Sequence, residues 1–113
     1  MKLDEKYVFH IPLSKYVNGE LIPIDMEDTI DELVEDFNRK GYENLYMVKA
    51  KGYYKSRSYD EVLICIFTTD SSKEGLVAPD EIFRNWFERN GNVLCQEALA
   101  YECDGKLFIE NLF

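Results

Sequence analysis

The chain has 113 residues, of which 46% are hydrophobic and 14% are aromatic, and its formal net charge is −9 at pH 7. This length and apolar content predict a single domain, residues 1–113, with a core of its own, and they exclude a disordered chain. The negative charge disfavours direct binding of nucleic acid, because phosphates and the protein repel each other over about a Debye length.

The composition also restricts the compartment and the cofactors. No segment approaches the roughly 18 consecutive apolar residues of a membrane span, and the N-terminus lacks the basic and apolar regions of a signal peptide. We therefore predict a cytoplasmic protein with no membrane contact. One histidine and three cysteines without CxxC spacing predict no metal site and no cofactor.

The first predicted elements are a strand, a turn and a helix. Apolar side chains alternate over residues 7–13, which predicts a strand with one strongly apolar face. Asn18-Gly19 predicts a tight turn. Asp25 is a candidate N-cap, and apolar residues at helical spacing follow it until Gly41 ends the helix.

Two more strands follow, over residues 44–54 and 59–68. The polar turn 55–58 joins them, and residues 69–78 are predicted to form a loop.

The C-terminal third predicts a helix and a hairpin. The helix starts at Pro79 and ends at Gly91, because proline is favoured in the first helical turn and glycine after the last. Residues 93–103 and 106–110 are predicted strands, and Asp104-Gly105 between them is typical of a type I′ turn.

The succession β-α-β-β-α-β-β predicts an α+β protein. Its first six elements predict a ferredoxin-like β-α-β-β-α-β sandwich, with an antiparallel sheet in spatial order 4-1-3-2 and two helices on one face. The extra C-terminal strand is predicted beside strand four. The run 62–67 is apolar at every position, so both of its faces need cover. Because the helices cover only one face, we predict that a second copy covers the other.

The order of elements and the two-sided apolar strand resemble the dimeric α+β-barrel group of ferredoxin-like proteins. The resemblance extends over nearly the whole chain, but it carries no motif. It implies sheet-to-sheet packing of two protomers and a pocket between sheet and helices. That group includes cofactor-free monooxygenases and haem-degrading enzymes, and this sequence has no match for their catalytic residues.

The main functional interpretation is a small acidic intracellular binding or regulatory domain that acts as a homodimer through its open sheet face. Two alternatives stay open. One is a cofactor-independent small-molecule enzyme of the dimeric α+β-barrel type. The other is an acidic interaction protein, an inhibitor or nucleic-acid mimic, that binds a basic protein surface.

The enzyme alternative rests on His10, the side chain whose ordinary pKa is closest to neutral pH. We expect His10 to act as a base or hydrogen-bond donor, and Tyr54, Arg57 and Tyr7 to bind a ligand beside it. We expect Phe9 to line the same cavity. Glu97 in the predicted fourth strand is a further carboxylate whose direction the sequence leaves open.

The basic-partner alternative rests on the first helix. Residues 20–36 contain eight acidic side chains and no basic one. The expected partner-binding residues are Asp28, Asp31, Glu35 and Asp36. Acidic residues near a helix N-terminus are also common for stability alone.

Overall fold

A computed structural model gives the structure of the protein, and it describes residues 2–94, 96 and 98–111, with the backbone but not the side chain of Tyr54. No helix within this part of the chain is long and apolar enough to cross a membrane. The elements in chain order are β1 (Glu5–Pro12), β2 (Ser14–Val17), β3 (Glu20–Pro23), α1 (Glu27–Arg39), β4 (Leu45–Tyr54), β5 (Arg57–Thr68), α2 (Asp70–Lys73), α3 (Pro79–Arg89), α4 (Gly91–Leu94), β6 (Ala98–Cys103) and β7 (Lys106–Asn111).

Five strands form one antiparallel sheet in the order β4-β5-β1-β6-β7, and β2 and β3 form a separate hairpin. The strand order is the one that the succession of elements predicts, with the last strand beside the fourth of the predicted sheet. β1 is central and pairs with β5 on one side and β6 on the other. The chain is thus an α+β protein with a five-strand antiparallel sheet plus helices.

Two of the three hairpin turns agree with the sequence prediction. Asn18 and Gly19 have φ angles of 51° and 81°, and Asp104 and Gly105 have 52° and 76°. Positive φ at both central residues defines the type I′ turn that suits the twist of paired strands. The third turn is shorter than predicted, because Lys55 and Ser56 alone take positive φ and β5 already begins at the next residue.

The prediction of one strand over residues 93–103 is wrong in its first part. Gly91–Leu94 form a short helix, in which the amides of Val93 and Leu94 donate to the carbonyl of Asn90. This turn buries Leu94 completely against the core. The loop prediction for 69–78 also needs correction, since α2 lies within it and Thr69 caps that helix by accepting a hydrogen bond from the amide of Ser72.

The core lies between the sheet and the helices α1 and α3. Phe9 on β1 lies at its centre, with ring centroids 5.3 Å from Phe37, 4.7 Å from Phe83 and 5.8 Å from Tyr101. Trp86 is fully buried, and its indole nitrogen donates to the carbonyl of Thr29 at 2.8 Å, which joins α3 to α1. The helices therefore cover the centre of this side of the sheet, whereas Met47 and Phe108 on its outer strands stay exposed.

The opposite side of the sheet, called here the open face, carries the alternate side chains of the same strands. The run in β5 divides as strand geometry requires, with Val62, Ile64 and Ile66 in the core and the residues between them on the open face. Toward the two edges of the open face, large apolar side chains are exposed to solvent: Tyr46, Val48, Leu107 and Ile109.

An ion pair fastens the last strand to the helix layer and makes stability depend on pH. Arg84 on α3 donates to both carboxylate oxygens of Glu110 on β7, at 2.7 and 2.8 Å, and these hydrogen bonds lower the pKa of Glu110. A carboxyl group with a lowered pKa in the folded state stabilises it above the unfolded value, about 4.3, and loses this contribution as the pH falls through the folded value.

We therefore expect Glu110→Gln to lower the free energy of unfolding by about 1 kcal/mol near neutral pH and by progressively less as the pH falls below about 4.3. Urea denaturation of both proteins across this range measures the difference. Glu88→Gln, at an exposed position of α3, is the control. A difference between Glu110→Gln and the parent that stays constant with pH would contradict the role assigned to the ion pair.

Candidate active site

A cavity of about 340 Å³ lies between the β2–β3 hairpin and the open face of the sheet. Its floor comes from β1, β5 and β6, and one wall comes from the hairpin. The residues that line it include His10, Tyr16, Tyr59, Glu61, Ala98 and Ala100.

Strand register brings two carboxylates to His10. Glu61 pairs with Pro12 and Glu102 pairs with Val8, so each glutamate is a diagonal neighbour of His10, one on either side of β1. Diagonal neighbours on one face have Cα atoms about 7 to 8 Å apart, which long side chains span. The imidazole thus lies between two glutamates of different strands.

The contacts of His10 define which nitrogen carries its proton in the neutral state. Nε2 lies 2.7 Å from Oε2 of Glu102, whereas Nδ1 lies 3.4 Å from Oε1 of Glu61. An ionised carboxylate only accepts hydrogen bonds, so we expect the neutral imidazole to carry its proton on Nε2 and to donate to Glu102. Nδ1 faces Glu61, whose side chain is only 12% exposed, and donates to it when the imidazole carries both protons.

Small side chains leave the space that the cavity occupies. Ala98 and Ala100 lie on the open face of β6, beside His10 and Pro12 of β1. A larger residue at either alanine would fill this space. The cavity therefore combines an apolar floor with the carboxylate of Glu61 and the imidazole of His10, and Glu102 contacts the imidazole from the other side.

The hairpin that covers the cavity is held mainly at its base. The amide of Leu13 donates to the carbonyl of Asp60 at 3.1 Å, and the amide of Ile24 donates to the carbonyl of Leu13 at 2.9 Å. Farther out, the guanidinium of Arg57 lies 5.8 Å from the ring centroid of Tyr16. This cation–π contact sets Tyr16 at the cavity wall.

The structure separates the ligand residues that the sequence grouped together. His10 lines the cavity, and Arg57 is one contact away through Tyr16. Tyr7 and Phe9 point to the core, so the expectation that they share a cavity with His10 is wrong. The reason is strand alternation, since residues 7 and 9 face opposite to residue 10.

Tyr7 belongs to a different polar cluster at the far end of β1. Lys73 on α2 donates to the Tyr7 hydroxyl at 3.2 Å and pairs with Glu5. Burial raises the pKa of Tyr7 despite this contact. The side chain of Tyr54 and the whole of Glu97 lie outside the described part of the chain, so their predicted roles are not placed here.

Sequence reasoning missed Glu61, Glu102, Tyr16 and Tyr59. Glu61 stands just before the apolar run of β5, and Glu102 interrupts the apolar pattern of β6. These positions are signals of a polar site on a sheet face, but only the register between strands brings them to His10.

The acidic residues of α1 lie in the helix layer, on the other side of the sheet from the open face. Asp28, Asp31 and Glu35 are exposed, whereas Asp36 pairs with Arg39 and accepts from Nη2 of Arg89 at 2.7 Å. Asp36 therefore helps to hold α1 against α3. Binding of a basic partner by this surface stays a prediction.

No protein-family model matches the sequence, and no curated protein matches it significantly. The solved structures that match include two of phage SAM lyase. A phage SAM lyase in complex with S-methyl-5′-thioadenosine matches with a TM-score of 0.60 and 13% identity, over 95% of this chain and 88% of that chain. A phage SAM lyase in the apo state matches with a TM-score of 0.55 and 19% identity, over the same shares. At these identities the likeness concerns the fold.

This comparison defines the class as an α+β protein that is structurally like phage SAM lyase. It contradicts the main functional interpretation of the sequence, a binding or regulatory domain that acts as a homodimer. The matched structures are those of small-molecule enzymes, and they favour the enzyme alternative instead. The apolar run of β5 misled the sequence interpretation. Alternate side chains of this run lie in the core, and the side chains between them lie on the open face.

The tautomer of His10 is directly testable. We expect the neutral imidazole to carry its proton on Nε2, because the carboxylate of Glu102 is the nearer acceptor. Long-range ¹H–¹⁵N NMR at alkaline pH distinguishes the two tautomers, and this single histidine gives one assignment. Glu102→Gln should alter its nitrogen shifts, whereas Glu88→Gln should not. A dominant Nδ1–H tautomer in the parent protein would overturn the assignment and point to Glu61 as the acceptor.

Proposed function

We propose that this protein is an enzyme that binds S-adenosylmethionine and cleaves it, with release of S-methyl-5′-thioadenosine. The fold supports this proposal, since 95% of the chain matches phage SAM lyase. The observation that carries it is the pair of Glu61 and His10 in a cavity of this fold, with Glu102 holding the other side of the imidazole. The cavity volume, about 340 Å³, is also within the range of small-molecule pockets.

The charge of the proposed substrate fits the charge of the site. S-adenosylmethionine carries a positive sulfonium, a positive ammonium and one carboxylate, so it is a net cation. A protein with a net charge of −9 attracts such a ligand over long range. Within the cavity, Glu61 is a largely buried carboxylate and therefore a strong local site for a cationic group.

The reaction breaks the bond between the sulfonium and the amino-acid chain. Sulfur keeps the electron pair of this bond and becomes the neutral thioether of S-methyl-5′-thioadenosine. The amino-acid fragment then either loses a proton from the adjacent carbon to a base or closes on its own carboxylate. Neither route consumes water, as the term lyase requires.

The loss of charge at sulfur determines where the carboxylates are useful. A carboxylate in contact with the sulfonium would stabilise the substrate more than the transition state, in which this charge fades. We therefore assign the sulfonium to the apolar floor around Ala98 and Ala100. There the cation is poorly solvated, and its neutralisation is favoured.

Glu61 then serves the amino-acid fragment. Its carboxylate, beside His10 in the cavity, holds the ammonium group and accepts the proton if the fragment leaves by elimination, while Glu102 holds the other side of His10. His10 is the positioning residue between them, because its nitrogens contact one carboxylate on each side. Arg57, the predicted cationic ligand residue, lies against Tyr16 and is not among the residues that line the cavity.

The finer fold class belongs to the same proposal. The strand order supports a ferredoxin-like sandwich with an added edge strand. Assembly of this fold into a dimeric α+β barrel, and a homo-oligomer in general, stay predictions that the mass in solution tests.

The proposed reaction is measured by incubating the purified protein with S-adenosylmethionine and quantifying S-methyl-5′-thioadenosine by chromatography and mass spectrometry. We expect Glu61→Gln to lower kcat/KM about 10- to 150-fold, because loss of one hydrogen bond to a charged group costs about 1.5 to 3 kcal/mol. His10→Gln removes the link between the glutamates and should also lower kcat/KM.

Glu88→Gln is the matched control for these variants, since it removes one charge from an exposed helix position. Its kcat/KM should equal that of the parent protein. The same mass spectra identify the amino-acid product and so distinguish elimination from ring closure. Absence of S-methyl-5′-thioadenosine with a folded parent protein would refute the proposed function.

A further inference from the structure

We propose that Tyr59 and Tyr16 form the two walls of a slot that takes the purine ring of the ligand, and that Gly52 is the residue that makes room for Tyr59 there. This inference rests on the proposed function, because it assigns the nucleoside end of the same substrate. It names a second part of the cavity, separate from the glutamates around His10.

Gly52 and Tyr59 are directly opposite each other on β4 and β5, with Tyr59 on the open face. A Cβ atom at Gly52 would lie 2.4 Å from Cζ and 2.7 Å from Oη of Tyr59, well inside van der Waals contact. The ring of Tyr59 therefore lies directly on the backbone of Gly52. Any side chain at position 52 would displace the ring, so glycine leaves the space that this position of Tyr59 needs.

This arrangement gives Tyr59 a fixed position. Its ring rests on a strand of the five-stranded sheet, and its side chain lines the cavity. Burial raises the pKa of the Tyr59 hydroxyl, and negative charge on Glu61 and Tyr16 raises it further. These contributions agree with the geometry, in which all three side chains line one cavity.

Tyr16 lies on the β2–β3 hairpin and provides the second wall. Its side chain lines the cavity and is still 51% exposed, so one face of the ring is accessible to a ligand. The guanidinium of Arg57 lies 5.8 Å from the ring centroid and restrains the ring. A half-exposed tyrosine held in this way presents a stacking surface rather than a core contact.

A purine is the ligand group that fits two aromatic walls beside a carboxylate. Base-to-aromatic stacking contributes about 1 to 3 kcal/mol for each base. Tyr59 and Glu61 lie on the same face of β5 two residues apart, a separation of about 7 Å at 3.3 Å per residue. The slot therefore adjoins the pair of Glu61 and His10, as a ligand with an adenosine at one end and an amino acid at the other requires.

The test measures equilibrium binding of S-methyl-5′-thioadenosine by isothermal titration calorimetry. This probe contains the purine and lacks the amino-acid group, so the glutamates contribute little to its affinity. We expect Tyr16→Leu, Tyr59→Leu and Gly52→Ala each to raise its Kd about 5- to 150-fold, the equivalent of one lost stacking wall. Tyr16→Phe keeps the aromatic face and should stay within about threefold of the parent.

Tyr53→Leu is the matched control, because this neighbouring tyrosine of β4 is 75% exposed and points to the other side of the sheet. It should bind the probe as the parent does. Circular dichroism melts report whether each variant is folded. If Gly52→Ala does not fold, the two Tyr→Leu variants decide the result.

The outcomes separate this inference from the proposed function. If the parent binds the probe and cleaves S-adenosylmethionine, but the three variants bind the probe unchanged, the slot is refuted and the proposed function stands. If the parent neither binds the probe nor cleaves S-adenosylmethionine, the proposed function fails and the slot with it. Weaker binding in Tyr16→Leu with rescue in Tyr16→Phe supports the slot.

Discussion

Alternation of side chains along the central strand β1 is the constraint on which the rest of the structure depends. β1 is hydrogen-bonded on both edges, so its side chains have only two directions, toward the helices or away from them. Phe9 and Ile11 are fully buried under the helices, while His10 between them emerges on the open face. One strand thus supplies both the centre of the core and the centre of the candidate active site.

The packing of the core makes this division rigid. Phe9 has aromatic neighbours from both long helices, and Trp86 connects those helices through a buried hydrogen bond. A shift of β1 by one residue would expose this whole set and bury His10 instead. The cost of that exchange fixes the register, and the register in turn brings Glu61 and Glu102 to the imidazole.

The residue types on the open face differ between its edges and the part beneath the hairpin. Toward its edges, in β4 and β7, it exposes large apolar side chains, whereas beneath the hairpin it has Ala98, Ala100, Tyr59 and Glu61. The polar side chains of the candidate site therefore lie where the hairpin excludes part of the solvent. A carboxylate in such a place interacts more strongly with a cation than one on the exposed face of α1 does.

The sequence by itself determined the α+β class and the order of the five strands, and it predicted His10 as a candidate site residue. It could do so because helical and strand periodicities and type I′ turns are local properties of the chain. It did not determine which side chains join His10. Tyr7 was expected and lies in the core, whereas Glu102 is 92 residues away and lies 2.7 Å from the imidazole. Only tertiary structure decides such contacts, because strand register depends on the packing of the whole sheet and not on any local pattern.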